Sequence, residues 1–325
     1  MNWEDKTILI TGGTGSFGQK FVEIMLTKYK PKVIRILSRD ELKQWEMMQK
    51  FDNDPRLRFF LGDIRDCKRL ERAMEGSYIV VHAAALKQVP LCEYNPFEAV
   101  NTNIIGTQNV VNAAIDCNVE KVMAISTDKA VAPVNLYGAT KMCMEKLIVA
   151  ANSYVGAARK TALSCVRYGN VLGSRGSVVP LFNKQKKTGA ITITDKRMSR
   201  FWITIEQGVE FVVNCINEMH GGEVFIPKIP SMKIVDLAKV IAPESEVNII
   251  GIRPGEKLHE CLITKDEGRH TLELEDCYVI EPEHAFWKIK SWPDSKNLPE
   301  DFMYESDTND SWLTIEELKK MLGNL

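Results

Sequence analysis

Short apolar runs, each closed by glycine or polar residues, recur through the first half of the chain. Lys6-Thr7-Ile8-Leu9-Ile10, Val33-Ile34-Arg35-Ile36-Leu37, Leu57-Arg58-Phe59-Phe60-Leu61-Gly62-Asp63-Ile64, Tyr78-Ile79-Val80-Val81-His82-Ala83-Ala84-Ala85 and Val122-Met123-Ala124-Ile125 have strand length. They are largely apolar, as expected for strands covered on both faces. Thr161–Tyr168 supplies a sixth. Phe17–Tyr29 and Asn101–Asn118 carry helical spacing between them. Asparagines inside a helix are unfavourable unless they bind something, so one of Asn101, Asn103 and Asn109 is a candidate brace for nearby backbone. This alternation to about residue 170 predicts an α/β protein with a doubly wound parallel sheet. Beyond Gly169-Asn170-Val171-Leu172-Gly173 the pattern loosens. Gly173, Gly176 and Pro180 punctuate a loop into Val178–Lys187, and strand-like alternation follows at Ile191–Thr194. Ile205–Met219 predicts a long helix, and Glu223–Pro227 a strand that returns to the main sheet. A smaller region follows from Ser231, with a turn at Arg253-Pro254-Gly255-Glu256-Lys257. The tail predicts a helix at Leu313–Met321, capped from Asn309-Asp310-Ser311.

The first strand runs straight into Thr11-Gly12-Gly13-Thr14-Gly15-Ser16-Phe17-Gly18 and then a helix. Glycines at 12, 15 and 18 permit a tight turn and close approach of a diphosphate, which the helix N-terminus attracts. Gly12, Thr14, Gly15, Ser16, Phe17 and Gly18 are therefore candidate dinucleotide ligands, and the sheet is expected to be Rossmann-type. The second strand ends in Ser38-Arg39-Asp40, followed by Lys43. Asp40 would hold the ribose of NAD, whereas Ser38 and Arg39 suit the 2′-phosphate of NADP, which they favour. Arg39-Asp40-Glu41 also fits the start of a solvated helix. Asp63, with Ile64 beside it, would face the adenine. The small Ala83 and Ala84 would let the cofactor lie flat. Lys87 would reach a ribose or phosphate, or stand as a loop lysine. The expected division is residues 1–169, with a return segment at about 201–230, as the cofactor domain. Residues 170–200 and 231–325 form the smaller C-terminal substrate-binding region.

Where the fifth strand ends, Ser126-Thr127-Asp128-Lys129 brings hydroxyls, a carboxylate and an ammonium together. Open α/β sheets bind ligands at such carboxyl ends. Tyr137 and Lys141 stand four apart on a predicted helix and so share a face. A neighbouring ammonium favours phenolate, which would make Tyr137 a base near neutral pH. The plainer alternative is a polar strand end beside an ordinary helical pair.

Composition adds mostly exclusions. A net charge of −1 gives no reason to expect nucleic acid or an anionic membrane as partner. No apolar run approaches the roughly 18 residues of a membrane span, and no basic-then-apolar leader opens the chain. The eight cysteines, at 67, 92, 117, 143, 165, 215, 261 and 277, are scattered, as are the five histidines. No metal site is expected, and the thiols suit a reducing cytoplasm.

The segments TGGTGSFG, SRDELK, HAAALKQVP, STDKAVAPVNLYGATK, RYGNVLGSRGSVVP, RFWIT, KIPSMK and GIRPGEKLHE cover most of residues 5–280. Together they resemble the extended branch of the short-chain dehydrogenase/reductase superfamily. Within it they resemble the soluble UDP-N-acetylglucosamine 4,6-dehydratases that invert carbon 5, on the route to pseudaminic acid and related bacterial surface sugars. Related hexose dehydratases carry Asp-Glu where this chain has Asp128-Lys129. The resemblance implies a tightly bound, regenerated NADP, UDP-N-acetylglucosamine as substrate, and a homo-oligomer. It implies that Tyr137, assisted by Lys141, takes the 4-hydroxyl proton while Thr127 bonds the developing ketone. Lys129 would remove the carbon 5 hydrogen, which requires its pKa to fall from about 10.4 toward 7. Asp128 would protonate the leaving 6-hydroxyl, which requires its pKa to be raised by burial. Asn170 would contact the sugar or diphosphate, and the loop from Ser174 to Phe182, with Val178 and Val179, would line the nucleotide. Arg200 and Arg253 would clamp phosphates, with a surface ion pair as the alternative for Arg200, and Glu256 would hold the uridine ribose. A 4-epimerase, an elimination that stops at a 5,6-alkene, and a non-catalytic NADP-binding regulator remain as alternatives. The regulator is disfavoured because Tyr137 and Lys141 are both present.

Overall fold

The computed structural model describes residues 1–156, 159–174, 177–283, 286–287 and 289–323. Its frame is six parallel strands: β1 (Thr7–Thr11), β2 (Val33–Ser38), β3 (Leu57–Leu61), β4 (Ile79–His82), β5 (Lys121–Ile125) and β6 (Ala162–Val166). They lie in the order β3-β2-β1-β4-β5-β6, and Val224–Pro227 continues the sheet parallel to β6. Cys277–Ile280, Thr271–Glu273 and Lys296–Asn297 extend that edge as antiparallel strands, which short, half-exposed segments did not announce. Every residue of β4 is buried, as are the central residues of β1, β5 and β6. The chain steps from β1 outward to β2 and β3, then returns to β4 on the other side of β1. That reversal opens a crevice at the carboxyl ends of β1 and β4.

The predicted helices form, with local adjustments. Phe17–Tyr29 divides into an α-helix, Ser16–Ile24, and a π-turn, Met25–Tyr29, closed by Lys30 in the left-handed region at φ 51°. Asn101–Asn118 likewise begins as a π-turn, Asn101–Ile105, before the helix Gly106–Asp116. The return to the sheet opens later than residue 201. Ser199–Ile203 is a wholly buried strand of a separate sheet, between Asn170–Val171 and Ser231–Lys233. The helix Ile205–Glu218, started by a reciprocal Thr204–Gln207 capping box, makes the crossing. A second apolar cluster, including Leu172, Phe182, Ile191, Trp202 and Leu237, lies outside the main core. The last helix is Ile315–Gly323, and its cap is Thr314, not the Asn309–Ser311 segment. Thr314 accepts from the Glu317 backbone at 3.2 Å, and Glu317 accepts from the Thr314 backbone at 2.9 Å. Asn309 instead donates to the Ile229 carbonyl and to Ser231 Oγ, each at 3.0 Å.

One buried cation ties these parts together. Arg167, just past β6, is 3% exposed. It donates to Glu145 on the Leu136–Ala151 helix at 3.0 and 2.6 Å and to Glu267 at 3.1 and 2.8 Å. A further bond reaches the Leu262 carbonyl at 2.8 Å. Removing one partner of a buried charge pair leaves the other charge uncompensated, at a cost of about 3–5 kcal/mol. Arg167→Met is therefore expected to lower the urea midpoint, followed by tryptophan fluorescence, by an amount equivalent to that loss. An unchanged midpoint would show that the two carboxylates are stable without the guanidinium.

Candidate active site

The glycine turn is built against the end of β4. Gly12 sits at φ +67°, and a Cβ there would stand 2.8 Å from Ala84 Cα. A Cβ on Gly18 would run into the Gly13 carbonyl. Only glycine allows the turn to lie this flat on Ala83-Ala84 while the Ser16–Ile24 helix starts immediately after it. No side chain caps that helix at Gly15. The resulting cleft, about 900 Å³, runs from Ser38 and Arg39 across the β1–β4 crevice to Lys129, Tyr137 and Asn170. Every residue of the sequence-expected cofactor set, from Gly12 to Lys87, together with Tyr137 and Lys141, lines it.

At the β2 end, Ser38 is buried and its hydroxyl lies 2.7 Å from that of Thr14. Asp40 is the N-cap of the Glu41–Lys50 helix, accepting from the Lys43 backbone at 3.1 Å and from Lys43 Nζ at 2.5 Å. Asp63 is gripped by Arg65 at 2.7 Å, while Arg39, about half exposed, comes only within 3.8 Å of it. Asp40 and Lys43 are thus largely occupied with each other, and Arg39 projects as the less committed charge.

At the other end the helix Leu136–Ala151 starts on Asn135, whose side chain accepts from Gly138 N and donates to the Gly255 carbonyl, both at 2.8 Å. Asn103, from the π-turn, is the brace that the asparagine pattern foreshadowed. It bonds both polar groups of the Leu86 backbone at 2.8 and 2.9 Å and Thr140 Oγ1 at 3.0 Å. Tyr137 and Lys141 share the cleft-facing side of this helix. Lys141 nevertheless donates to the Ile125 carbonyl at 2.6 Å and to Met144 Sδ at 2.9 Å, and burial pulls its pKa down to about 8. Burial drives the Tyr137 phenol up to about 12, against the pull of the Lys129 charge and the Thr127 hydroxyl.

The Asp128–Lys129 pair departs from expectation in both pKa directions. Asp128 is fully buried and does not line the cleft. Its Oδ1 accepts from the Thr127 hydroxyl at 2.8 Å and from Lys129 Nζ at 2.9 Å, while Oδ2 has no partner among the described residues. Burial pushes this carboxyl up, but Lys129 and Thr127 outweigh it and hold it below its ordinary value. Burial pushes Lys129 down, yet Asp128 and Glu260 hold its ammonium above the ordinary lysine value. At rest the pair is an ion pair, not an acid beside a neutral amine. The cause is mutual: burial works against both charges, and the attraction of each for the other overcomes it.

The substrate residues divide. Lys87, Asn170 and Val178 line the cleft, and Asn170 Oδ1 accepts from Lys129 Nζ at 3.4 Å. Burial and the Lys129 charge depress the Lys87 pKa. Val179 is buried in the second apolar cluster instead. The expected loop from Ser174 to Phe182 is helical from Val178 onward, in the helix Val178–Lys186, and its Arg175 and Gly176 lie outside the described residues. Arg200 is buried and turned inward, donating to the carbonyls of Ser199, Leu258 and Lys257 at 2.6, 3.0 and 2.9 Å. This is neither a phosphate clamp on the cleft wall nor a surface ion pair. Arg253 and Glu256 approach each other at 3.7 Å in the turn whose Gly255 meets Asn135, outside the cleft lining. Gln88, Thr102 and Tyr168 on the cleft wall carry no signal of a role in the sequence, and neither does Glu260 behind Lys129. Glu260 closes the segment GIRPGEKLHE, but only the tertiary fold brings it to Lys129.

Comparison with known proteins agrees with this architecture. A family model described as "Polysaccharide biosynthesis protein" matches residues 8–282. The chain is 51% identical to the inverting UDP-N-acetylglucosamine 4,6-dehydratase of Campylobacter jejuni serotype O:2, over 98% of each chain. It is 41% identical to a protein named UDP-glucose 4-epimerase from Rickettsia rickettsii, over 99% of this chain and 96% of that one. The X-ray structure of Pen from Bacillus thuringiensis superposes with a TM-score of 0.91 at 41% identity, covering 100% of this chain and 99% of Pen. DesIV of Streptomyces venezuelae, a dTDP-glucose 4,6-dehydratase, shares the fold at a TM-score of 0.70 and 24% identity over 78% of this chain and 86% of DesIV. With its Rossmann-type sheet and the match over most of its length, the chain belongs to the polysaccharide biosynthesis protein family of extended short-chain dehydrogenases/reductases.

Proposed function

We propose that this protein is a UDP-N-acetylglucosamine 4,6-dehydratase, a hydro-lyase that inverts carbon 5. The observation that carries this reading is the meeting of Thr127, Lys129 and Tyr137 at one end of the cleft, with Asp128 hydrogen-bonded behind them. A 4-epimerase has no use for a second acid–base pair beside the tyrosine, so Asp128-Lys129 favours elimination. The near-full-length identity to the Campylobacter enzyme supports the same substrate. The surface-sugar route, pseudaminic acid among its products, a cytoplasmic location and a homo-oligomer belong to this proposal. So does the division into a cofactor domain, 1–169 with its return segment, and a nucleotide-sugar region.

The glycine turn fits a dinucleotide, because Gly12 and Gly18 let it pack directly on the Ala84 and Gly13 backbone, and so leave the start of the Ser16–Ile24 helix on the cleft wall, where a diphosphate is favoured. A nicotinamide cofactor held by Gly12–Gly18, Ser38, Arg39 and Lys141 would take a hydride from carbon 4 and later return it to carbon 6. Arg39 and Ser38 are assigned to a 2′-phosphate, which makes the cofactor NADP. The chain's own residues move the protons. Tyr137 takes the proton of the 4-hydroxyl, and Thr127 bonds the new ketone. Within the ion pair, a proton passes from Lys129 Nζ to Asp128, leaving an amine and a carboxylic acid from two charged groups. The amine then removes the acidified hydrogen of carbon 5. The Asp128 proton leaves for the 6-hydroxyl, which departs as water. Because Asp128 is walled off, this proton is assigned to the Thr127 hydroxyl as relay, which turns from the ketone to the 6-hydroxyl, giving one proton to the substrate and taking one from Asp128. Both residues end charged, as they began. Once the hydride is back on carbon 6, carbon 5 would take a proton on the face opposite Lys129, and the proton that Tyr137 took from the 4-hydroxyl, released as the site resets, balances it.

Arg39→Ala is expected to weaken NADP binding by about 1.5–3 kcal/mol, the worth of a charge-assisted contact, with NAD affinity nearly unchanged. Isothermal titration with each cofactor checks this, and equal losses would transfer the assignment to NAD. With UDP-N-acetylglucosamine and NADP, the parent protein should give a 4-keto-6-deoxy sugar by NMR and mass. An intact 6-hydroxyl or a 5,6-alkene would replace the dehydratase reading. Lys129→Ala should still develop reduced-nicotinamide absorbance, yet lose the about 10²–10⁴-fold that a general base supplies. Solvent deuterium should then fail to enter carbon 5. Exchange at the parent rate would take the base role away from Lys129.

A further inference from the structure

Behind Lys129 stands a second carboxylate with no assigned work. Glu260, 3% exposed, precedes the strand Cys261–Ile263. Ser306 fixes its backbone: Glu260 N donates to Ser306 Oγ at 2.9 Å, and Ser306 N donates to the Glu260 carbonyl at 2.8 Å. Its Oε1 lies 3.6 Å from Lys129 Nζ and 3.7 Å from Arg200 Nε. Its Oε2 is buried without a hydrogen-bond partner among the described residues, 3.9 Å from Lys257 Nζ. Arg200 gives its two terminal nitrogens to three backbone carbonyls and turns only Nε to the Glu260 side, beyond hydrogen-bond distance. Lys257 in turn donates to the Val131 carbonyl. An isolated buried carboxylate is costly and is seldom kept without a partner. Lys129 is the only neighbour of Glu260 in this cluster that also lines the cleft.

We propose, on the dehydratase reading above, that Glu260 is the positioning residue of Lys129. It lies 3.6 Å from the Lys129 nitrogen as a second carboxylate beside Asp128, so that Nζ keeps a charged neighbour while Asp128 exchanges its proton. Glu260 itself passes no proton to the substrate. The Lys129 nitrogen has three hydrogens, and Asp128 Oδ1 at 2.9 Å and Asn170 Oδ1 at 3.4 Å accept two of them. The third direction is the one that Glu260 attracts. When Asp128 becomes neutral, Glu260 is the remaining carboxylate beside the amine, and it compensates the ammonium formed when Lys129 captures the carbon 5 proton. The charged and titratable groups facing Lys129 are Asp128, Glu260 and Arg200 from behind, and Lys87 and Tyr137 along the cleft. Burial raises the Glu260 pKa against the pull of Lys129, Arg200 and Lys257. The negative charge it lends to Lys129 therefore grows as pH rises.

The test is Glu260→Gln, which keeps shape and removes charge, with Glu260→Asp as the charged control. With Glu260→Gln, kcat for UDP-N-acetylglucosamine is expected to fall at least tenfold with KM within threefold. Deuterium entry at carbon 5 should slow by the same factor. The acid limb of the kcat profile should move to lower pH, because Lys129 loses one of two carboxylates that stabilise its charge. Glu260→Asp should restore that limb and part of kcat. An unchanged kcat and limb would overturn the proposal. So would a fall in kcat and melting temperature together, with the limb fixed and Glu260→Asp no better than Glu260→Gln. A readout without substrate separates this inference from the dehydratase reading. The ¹⁵Nζ signal of Lys129, identified by its loss in Lys129→Arg, should exchange with water at least threefold faster in Glu260→Gln. Faster exchange from a protein that makes no 6-deoxy sugar would uphold the contact between the two residues and reject the substrate. Unchanged exchange would reject Glu260 even in an active dehydratase.

Discussion

The buried guanidinium of Arg167 is the constraint on which the working geometry rests. It leaves β6, the strand beside β5, and holds Glu145 on the helix that carries Tyr137 and Lys141. Through Glu267 and the Leu262 carbonyl it also holds the segment that begins with Glu260. Two carboxylates around one arginine satisfy its fork from both sides, which is the condition under which such charges tolerate burial. One residue thus sets the distance between the tyrosine helix and the carboxylate behind Lys129. Asn103 performs the neutral counterpart on the other flank, stitching the loop after β4 to Thr140.

The reactive end is a low-dielectric cluster whose charges define one another. Asp128, Lys129, Glu260, Arg200 and Lys257 bring two carboxylates and three cations into contact away from solvent. Each would be unfavourable alone, and their mutual attraction stores the protons in an ion pair. An ion pair of this kind can become a neutral acid and a neutral base by moving one proton over a single hydrogen bond. No net charge has to be created in the interior. Lys129 alone among them opens onto the cleft, so the cluster presents one adjustable group to a ligand.

The fold was legible because its signals are local and repetitive. A strand buried on both faces needs a short apolar run; β4 falls within one, and β1, β2 and β5 each overrun theirs by a single residue. The turn from β1 requires glycine at fixed offsets, so Gly12, Gly15 and Gly18 announced the crevice before any coordinates did. Tyr137 and Lys141 share a helix face by periodicity, and that too follows from sequence spacing alone.

What the sequence by itself determined, then, was the parallel sheet, the dinucleotide turn and the list of chemical groups at the end of β5. Tertiary structure decided how those groups are charged and which way they point. Arg200 has the composition of a phosphate ligand, but its strand is buried, so its guanidinium turns to carbonyls from residues 257 and 258. Asp128 and Lys129 are adjacent in sequence, yet the Lys129 ammonium is held up partly by Glu260, more than a hundred residues away. Lys141 sits at the right offset from Tyr137 but bonds to Ile125 across the fold. Backbone periodicity is written in nearest neighbours, whereas a buried charge feels everything within a few ångströms, and those neighbours are assembled only when the chain has folded.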